Sequence, residues 1–280
     1  MRRLAPICPL SFIAALLLSA CGNEPRQTTI ISLSDAIDTG MVLAGDTVFP
    51  IEREVPIPEN IDSNFNDFLF LFFTSARFQE QRISFPLPVA ARSGDLIITQ
   101  SEWQSFPIDI EQMPFVSCFE SMAGLTEEVA ALRQVDVAMI DGRRDSVVFH
   151  HFARPDAKWR LHNVREGSIL SHSEGEFLKF FHRFATDSLF QLRHLSSTLA
   201  FTMIDPTGDA DRITGYIDRS QWTAFCPALP DSIFYYIDYG QTLRPRTDRI
   251  VSIQAIATGD LVMLYFKRTQ TTWLLYKLEE

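Results

Sequence analysis

Apolar residues fall at helical spacing twice along this chain. Phe65, Phe68, Leu69 and Phe72 stand at i, i+3, i+4 and i+7, and Phe177, Phe180, Phe181 and Phe184 repeat that spacing. Each set lies on one face of a helix and predicts an amphipathic element with a buried stripe. Asp67 and Glu176 sit near the two predicted starts, where a carboxylate meets the positive end of the helix dipole. Past each stripe come Phe78-Gln79 and Phe190-Gln191, and then Ile83 and Leu195 open strand-like runs.

The correspondence continues to the end of the chain. Ser101-Glu102-Trp103-Gln104-Ser105-Phe106-Pro107 matches Ser220-Gln221-Trp222-Thr223-Ala224-Phe225-Cys226-Pro227. In both, a serine is positioned to cap a short helix that carries Trp and Phe on one face and is stopped by proline. Arg133 to Ile140, Ser146 to Phe152 and Lys158 to Val164 then read as a three-strand meander. So do Arg249 to Ile256, Leu261 to Phe266 and Thr272 to Leu278, with Asp141-Gly142 and Gly259-Asp260 as turns. Phe152 to Trp159 and Phe266 to Trp273 keep the same step, and Arg154 matches Arg268. Landmarks in one order at similar spacing predict a tandem duplication, with repeats at 60–167 and 173–280. Helices followed by long antiparallel strands predict an α+β class, with each sheet burying one face under its helices.

Upstream of the repeats the pattern changes. Arg2 and Arg3 precede an apolar run, Leu10 to Leu18, too short to remain as a membrane span. Leu18-Ser19-Ala20-Cys21 follows directly and resembles the lipobox of bacterial lipoproteins. The resemblance implies that residues 1–20 are a signal peptide and that Cys21 receives diacylglycerol and a further acyl chain such as palmitate. Residues 21–59, with Pro25, Pro50, Pro56 and Pro58, read as a lipid-anchored tether and lead-in. Gly22 stands where an inner-membrane retention aspartate would stand, which favours the outer membrane.

Composition narrows the partners. The chain is 46% hydrophobic and 21% charged, ordinary globular usage that excludes a disordered or coiled-coil reading. Its formal charge is −10, and −12 once Arg2 and Arg3 leave with the signal. Such a body is repelled by nucleic acid and by anionic headgroups, so it stays at a membrane through its acyl chains. The expected partners are an envelope protein or a small apolar ligand, bound by a monomer whose repeats pack about a pseudo-twofold axis. After signal loss and acylation, Cys118 and Cys226 remain as either a disulfide or two buried thiols, and the lack of paired spacing favours thiols.

Phe68 to Phe73, then Arg82-Ile83-Ser84-Phe85-Pro86-Leu87-Pro88, Trp103 and Trp159 resemble an uncharacterised family of bacterial lipoproteins with nuclear-transport-factor-two-like, or ketosteroid-isomerase-like, cone folds. The resemblance covers about residues 55 to 280. It implies two tandem cones, each a curved antiparallel sheet on N-terminal helices. It carries no assigned catalytic residues, because cone folds serve isomerases, dehydratases and pure binding proteins alike.

Several residues are weighed for chemistry. On a strand, Tyr236 and Asp238 share one face, and a phenol beside a carboxylate in an apolar cone would suit a proton-shuttling isomerase or dehydratase. The competing reading puts Asp238 on the wet face or in the turn before Gly240. His150 and His151 are adjacent, so they face opposite ways and cannot chelate one ion together; one of them is an alternative proton shuttle inside a cone, and one could approach His162 on the next strand, but two histidines without a nearby acid make a poor zinc site. Asp205, Asp209 and Asp211 crowd a loop where oxygen ligands could hold calcium, but their spacing is not that of an EF-hand and a hairpin turn explains them. No HExxH, GxSxG or phosphate-cradling glycine loop occurs, and no cofactor is expected. The sequence therefore favours a non-enzymatic, membrane-anchored binding or assembly module over an enzyme.

Overall fold

The computed structural model describes residues 57–106, 114–122, 132–205, 207–208, 211–256 and 258–280. These belong to one compact unit beginning at Ile51. The signal, Cys21 and Asp209 lie outside the described residues. Among the described residues, no helix is long and apolar enough to cross a membrane.

Both phenylalanine stripes are helices. The first, α1, spans Phe65–Thr74, with Asn64 as its N-cap, accepting from the Asn66 amide. Ser75 then starts α2, Ala76–Gln81. The second stripe is α3, Gly175–Thr186, after which Asp187 caps α4, Ser188–Arg193. The strands of the first half are β1 (Leu87–Ala91), β2 (Gly94–Ile98), β3 (Phe115–Phe119), β4 (Gln134–Asp141), β5 (Ser146–Ala153) and β6 (Arg160–Gly167). Those of the second are β7 (Leu195–Ile204), β8 (Arg212–Asp218), β9 (Ile233–Asp238), β10 (Arg249–Gln254), β11 (Leu261–Arg268) and β12 (Trp273–Glu279).

Two local expectations need correction. The short helices are not capped by Ser101 and Ser220. Each begins with a 3-10 turn capped two residues earlier, by Thr99 and Asp218, because Glu102 and Gln221 reach back to those residues' amides and complete a capping box. Only the second turn continues into a helix, α5 (Trp222–Phe225). Ile83 opens no strand either. It makes an isolated bridge to Leu161, and pairing starts at Leu87.

The fold is α+β, and its strands form a single large sheet in the order β2-β1-β6-β5-β4-β9-β3-β10-β11-β12-β7-β8. The order contains an exchange. β3 of the first half pairs with β10 of the second, and β9 of the second pairs with β4 of the first. β3 and β9 themselves run parallel, side by side, at the centre. Neighbouring residues of β9 point to opposite faces, and there Tyr235 meets Phe73 of α1 at 5.3 Å while Phe234 meets Phe181 of α3 at 6.0 Å. The two long helices therefore cover opposite faces of one sheet. Central strands are accordingly buried on both faces: every residue of β3 is buried, and all but the last of β10.

Aromatic rings fill the space under each helix. Phe65 meets Trp159 edge to face at 4.9 Å, and Phe177 meets Trp273 in the same way at 5.2 Å. Phe72 lies at 5.1 Å from Phe152, and Phe184 at 5.1 Å from Phe266. Such edge-to-face pairs contribute about 0.5 to 1.5 kcal/mol each beyond burial of their area. The core beneath α3 also draws in Ala138, Ile140, Val147 and Phe149 from β4 and β5, so the halves share their packing.

Candidate functional site

β4, β5 and β9 bring titratable side chains into one row. Their antiparallel register sets Asp136 opposite both His151 and Asp238, and directly opposite residues share a face. His151 Nδ1 lies 2.6 Å from Asp136 Oδ1. Nε2 of His172, just before α3, stands 3.6 Å from Asp238 Oδ2. His151, Asp136, Asp238 and His172 thus gather on the face that carries Tyr236.

Burial and charge tune each member differently. Asp238 is pushed up to about 6, first by burial and further by the carboxylates of Asp136 and Glu174, although the Gly240 amide donating to it acts in the opposite direction. His151 is raised, chiefly by its hydrogen bond with Asp136. His172 is pushed down to about 4 by burial, stacked on Phe149 at 5.6 Å and edge-on to Tyr236 at 5.0 Å. The backbone amide of Glu174 donates to His172 Nδ1. That bond leaves the ring proton on Nε2, the nitrogen nearer Asp238. His151 and Asp136 thus form a close pair beside Asp238, whose carboxyl burial pushes up to about 6.

The residues singled out in the sequence separate in space. Asp238 and Tyr236 do share a face, but the Tyr236 side chain is buried, within the core beneath α3. His150 points the other way, against Phe106, with Nδ1 3.2 Å from the Val137 carbonyl, and burial holds it down at about 4. His151 alone of that pair joins Asp238. Asp205 accepts from the amide and hydroxyl of Thr207 in the β7–β8 turn. Among the described residues, no group of three or more His, Cys, Asp or Glu converges as a metal site. Cys118 and Cys226 are free thiols. Burial raises both, Cys226 to about 11.

Sequence reasoning passed over Asp136 and His172. Asp136 becomes visible only when β4 is registered against both β5 and β9, and β9 comes from the other half of the chain. His172 falls in the connection between the halves, with no periodic pattern to mark it.

Two further features surround the row. Arg249 is buried and donates Nε to Glu174 Oε2 at 2.7 Å, while Nη1 donates to Thr247 Oγ1 and the Asp248 carbonyl, and Nη2 to the Arg244 carbonyl. Farther out, an open groove of about 840 Å³ is bordered by Arg244, Arg246, Lys267 and Arg268, and a smaller cleft of about 480 Å³ by Arg143 and His182. Neither is lined by Asp238, Tyr236, His150 or His151.

Comparison with known proteins gives the same fold. The family model described as a domain of unknown function, DUF4348, matches residues 46–280. A crystal structure of an NTF2-like protein from Bacteroides fragilis is similar, with 31% identity and a TM-score of 0.69, covering 80% of this chain and 98% of that one. The comparison with curated proteins gives no match.

Proposed function

The chain belongs to the DUF4348 family, and from that premise we propose a lipid-anchored envelope module that binds a ligand or protein through its outer surface and catalyses no reaction. The observation that carries this reading is the filling of the cones. Where cone-fold enzymes keep an apolar chamber, Phe65, Phe68, Phe72, Phe152 and Trp159 occupy one half, and Phe177, Phe180, Phe184, Phe266 and Trp273 the other. The two clefts described above lie outside these cores, between strand ends. The anchor rests on the lipobox-like string ending at Cys21 and on the acidic body, which needs a covalent attachment to stay at a membrane. Outer-membrane placement rests on Gly22 alone.

The paired ring contacts also support descent of the two halves from one duplicated cone, residues 60–167 and 173–280. Asp62 and Glu174 stand three residues before Phe65 and Phe177, and each is bound by an arginine: Arg82 in the first half, Arg249 in the second. The exchange of β3 and β9 resembles a swapped dimer drawn within one chain, which supports a monomer in solution.

A second reading has its own support. Asp238, raised to about 6 beside His172, is the kind of group a proton-shuttling isomerase or dehydratase uses. The packed Tyr236 hydroxyl leaves it without an accessible oxyanion donor, which sets this reading second.

The test has two arms. In cells fed labelled palmitate, the wild type should incorporate label and be processed, whereas Cys21→Ala should do neither; label on the variant would overturn the anchor. In a thermal-shift screen of apolar molecules, compounds that stabilise the protein should compete with surface substitutions. A compound that enters a cone interior and loses its effect in Asp238→Asn would overturn the non-enzymatic reading.

A further inference from the structure

The outer groove reverses the charge of the molecule. Arg244, Arg246, Lys267 and Arg268 border it against two carboxylates, Glu120 and Asp248, giving a local formal balance of +2 on a chain of −10. Sites of minority charge are where a field is focused for a ligand of opposite sign.

The four cations are held to different degrees. Glu120 accepts from Arg244 Nε at 2.9 Å and from the Arg244 amide and Thr247 hydroxyl, and these bonds hold its carboxyl below the usual range despite burial. That pair fixes one wall and neutralises Arg244. Arg268 lies over the Trp273 ring at 4.0 Å, so its guanidinium is oriented without losing charge, and its backbone amide donates to Asp248. Arg246 and Lys267 are exposed, and among the described residues neither has an ion-pair partner.

Arg246 also occupies an uncommon conformation. It follows Pro245 with φ 59, a left-handed position that glycine adopts without steric cost. The turn therefore presents a guanidinium at the groove from a position where the backbone alone would favour glycine.

We infer that this groove binds a phosphate-bearing ligand, with Arg246 and Lys267 supplying the free charges and Arg268 a pre-oriented fork. Three of the four cations are arginines, whose planar fork matches tetrahedral oxyanions better than a point charge does. The inference rests on the surface-binding reading above and gives it a ligand class, but it does not depend on Cys21. Two sources share this chemistry: a free phosphate or phosphomonoester, which carries close to two charges, and a lipid headgroup, which is a phosphodiester with one.

Titration calorimetry on the full chain in nonionic detergent, with inorganic phosphate and with glycerophosphoglycerol as separate probes, tests it. Binding of phosphate over the diester assigns a soluble ligand, and the reverse assigns a headgroup; either supports the groove if affinity falls with salt. Arg246→Gly and Lys267→Ala should each weaken binding about tenfold, the loss of one charge-assisted contact. Arg246→Gly should leave the melting temperature unchanged or higher, which separates lost binding from lost folding. Lack of binding of both probes to the wild type, or affinity unchanged from wild type in both variants, overturns the inference.

Discussion

Asp136 and Asp238 stand directly opposite each other on β4 and β9, one carboxylate from each half of the chain. Like charges so placed destabilise a sheet, and Asp136 is the one held closely by a histidine, His151 at 2.6 Å against 3.6 Å from His172 to Asp238. Burial first, and the facing Asp136 carboxylate after it, make Asp238 hold its proton more tightly, at about 6 against the usual 3.8. A group whose folded value is raised stabilises fully at pH below its unfolded value, and that contribution is lost as pH rises through about 6. Asp238→Asn should therefore stabilise the protein near pH 8 by about 1 to 3 kcal/mol, with the gain vanishing near pH 4. Asparagine keeps an acceptor for the Gly240 amide. Urea unfolding of both proteins at the two pH values checks this, and a gain independent of pH would show that the ionisation of Asp238 is not the cause.

Arg249 is engaged through every nitrogen of its guanidinium, with Nε on Glu174 and both Nη atoms on oxygen acceptors. Burying this pair is costly, and removing one member leaves the other uncompensated. Arg249→Met should cost about 3 to 5 kcal/mol, while Arg249→Met with Glu174→Met should recover most of that loss. Chemical unfolding of the two variants decides the matter. A double variant no better than the single one would mean that the bonds to the Arg244 and Asp248 carbonyls, rather than the ion pair, hold β10 in place.

Much of this architecture is legible in the residue order, because local periodicity is set by local geometry. The helices came from phenylalanine spacing, the meanders from alternation, and the step from Phe152 to Trp159 marked contacts that recur at Phe266 and Trp273. The strand exchange was not legible. Phe115 to Phe119 and Ile233 to Asp238 are short apolar runs that would fit either sheet, and nothing local to them selects a partner. For the same reason Asp238 could be nominated from its own strand while Asp136 could not. The groove is not legible in the sequence, because Arg244 and Arg246 lie on the loop before β10 while Lys267 and Arg268 end β11, and their meeting depends on the β10–β11 pairing.

The exchange has a thermodynamic consequence. β9 closes the first half-sheet and β3 the second, so neither half can keep its central strand once the other unfolds. The core beneath α3 adds to this by taking Ala138, Ile140, Val147 and Phe149 from the first half. Phe266→Ala removes the ring that Phe177, Phe180, Phe181 and Phe184 surround at 5.1 to 6.3 Å. The cost should be about 3 to 5 kcal/mol. It should appear as a single calorimetric transition moved to lower temperature, with the amides of β5 losing hydrogen-exchange protection in step with those of β11. If β5 stayed protected while β11 opened, the halves would be independent folding units, and the central pairing of β3 with β9 would contribute little to cooperativity.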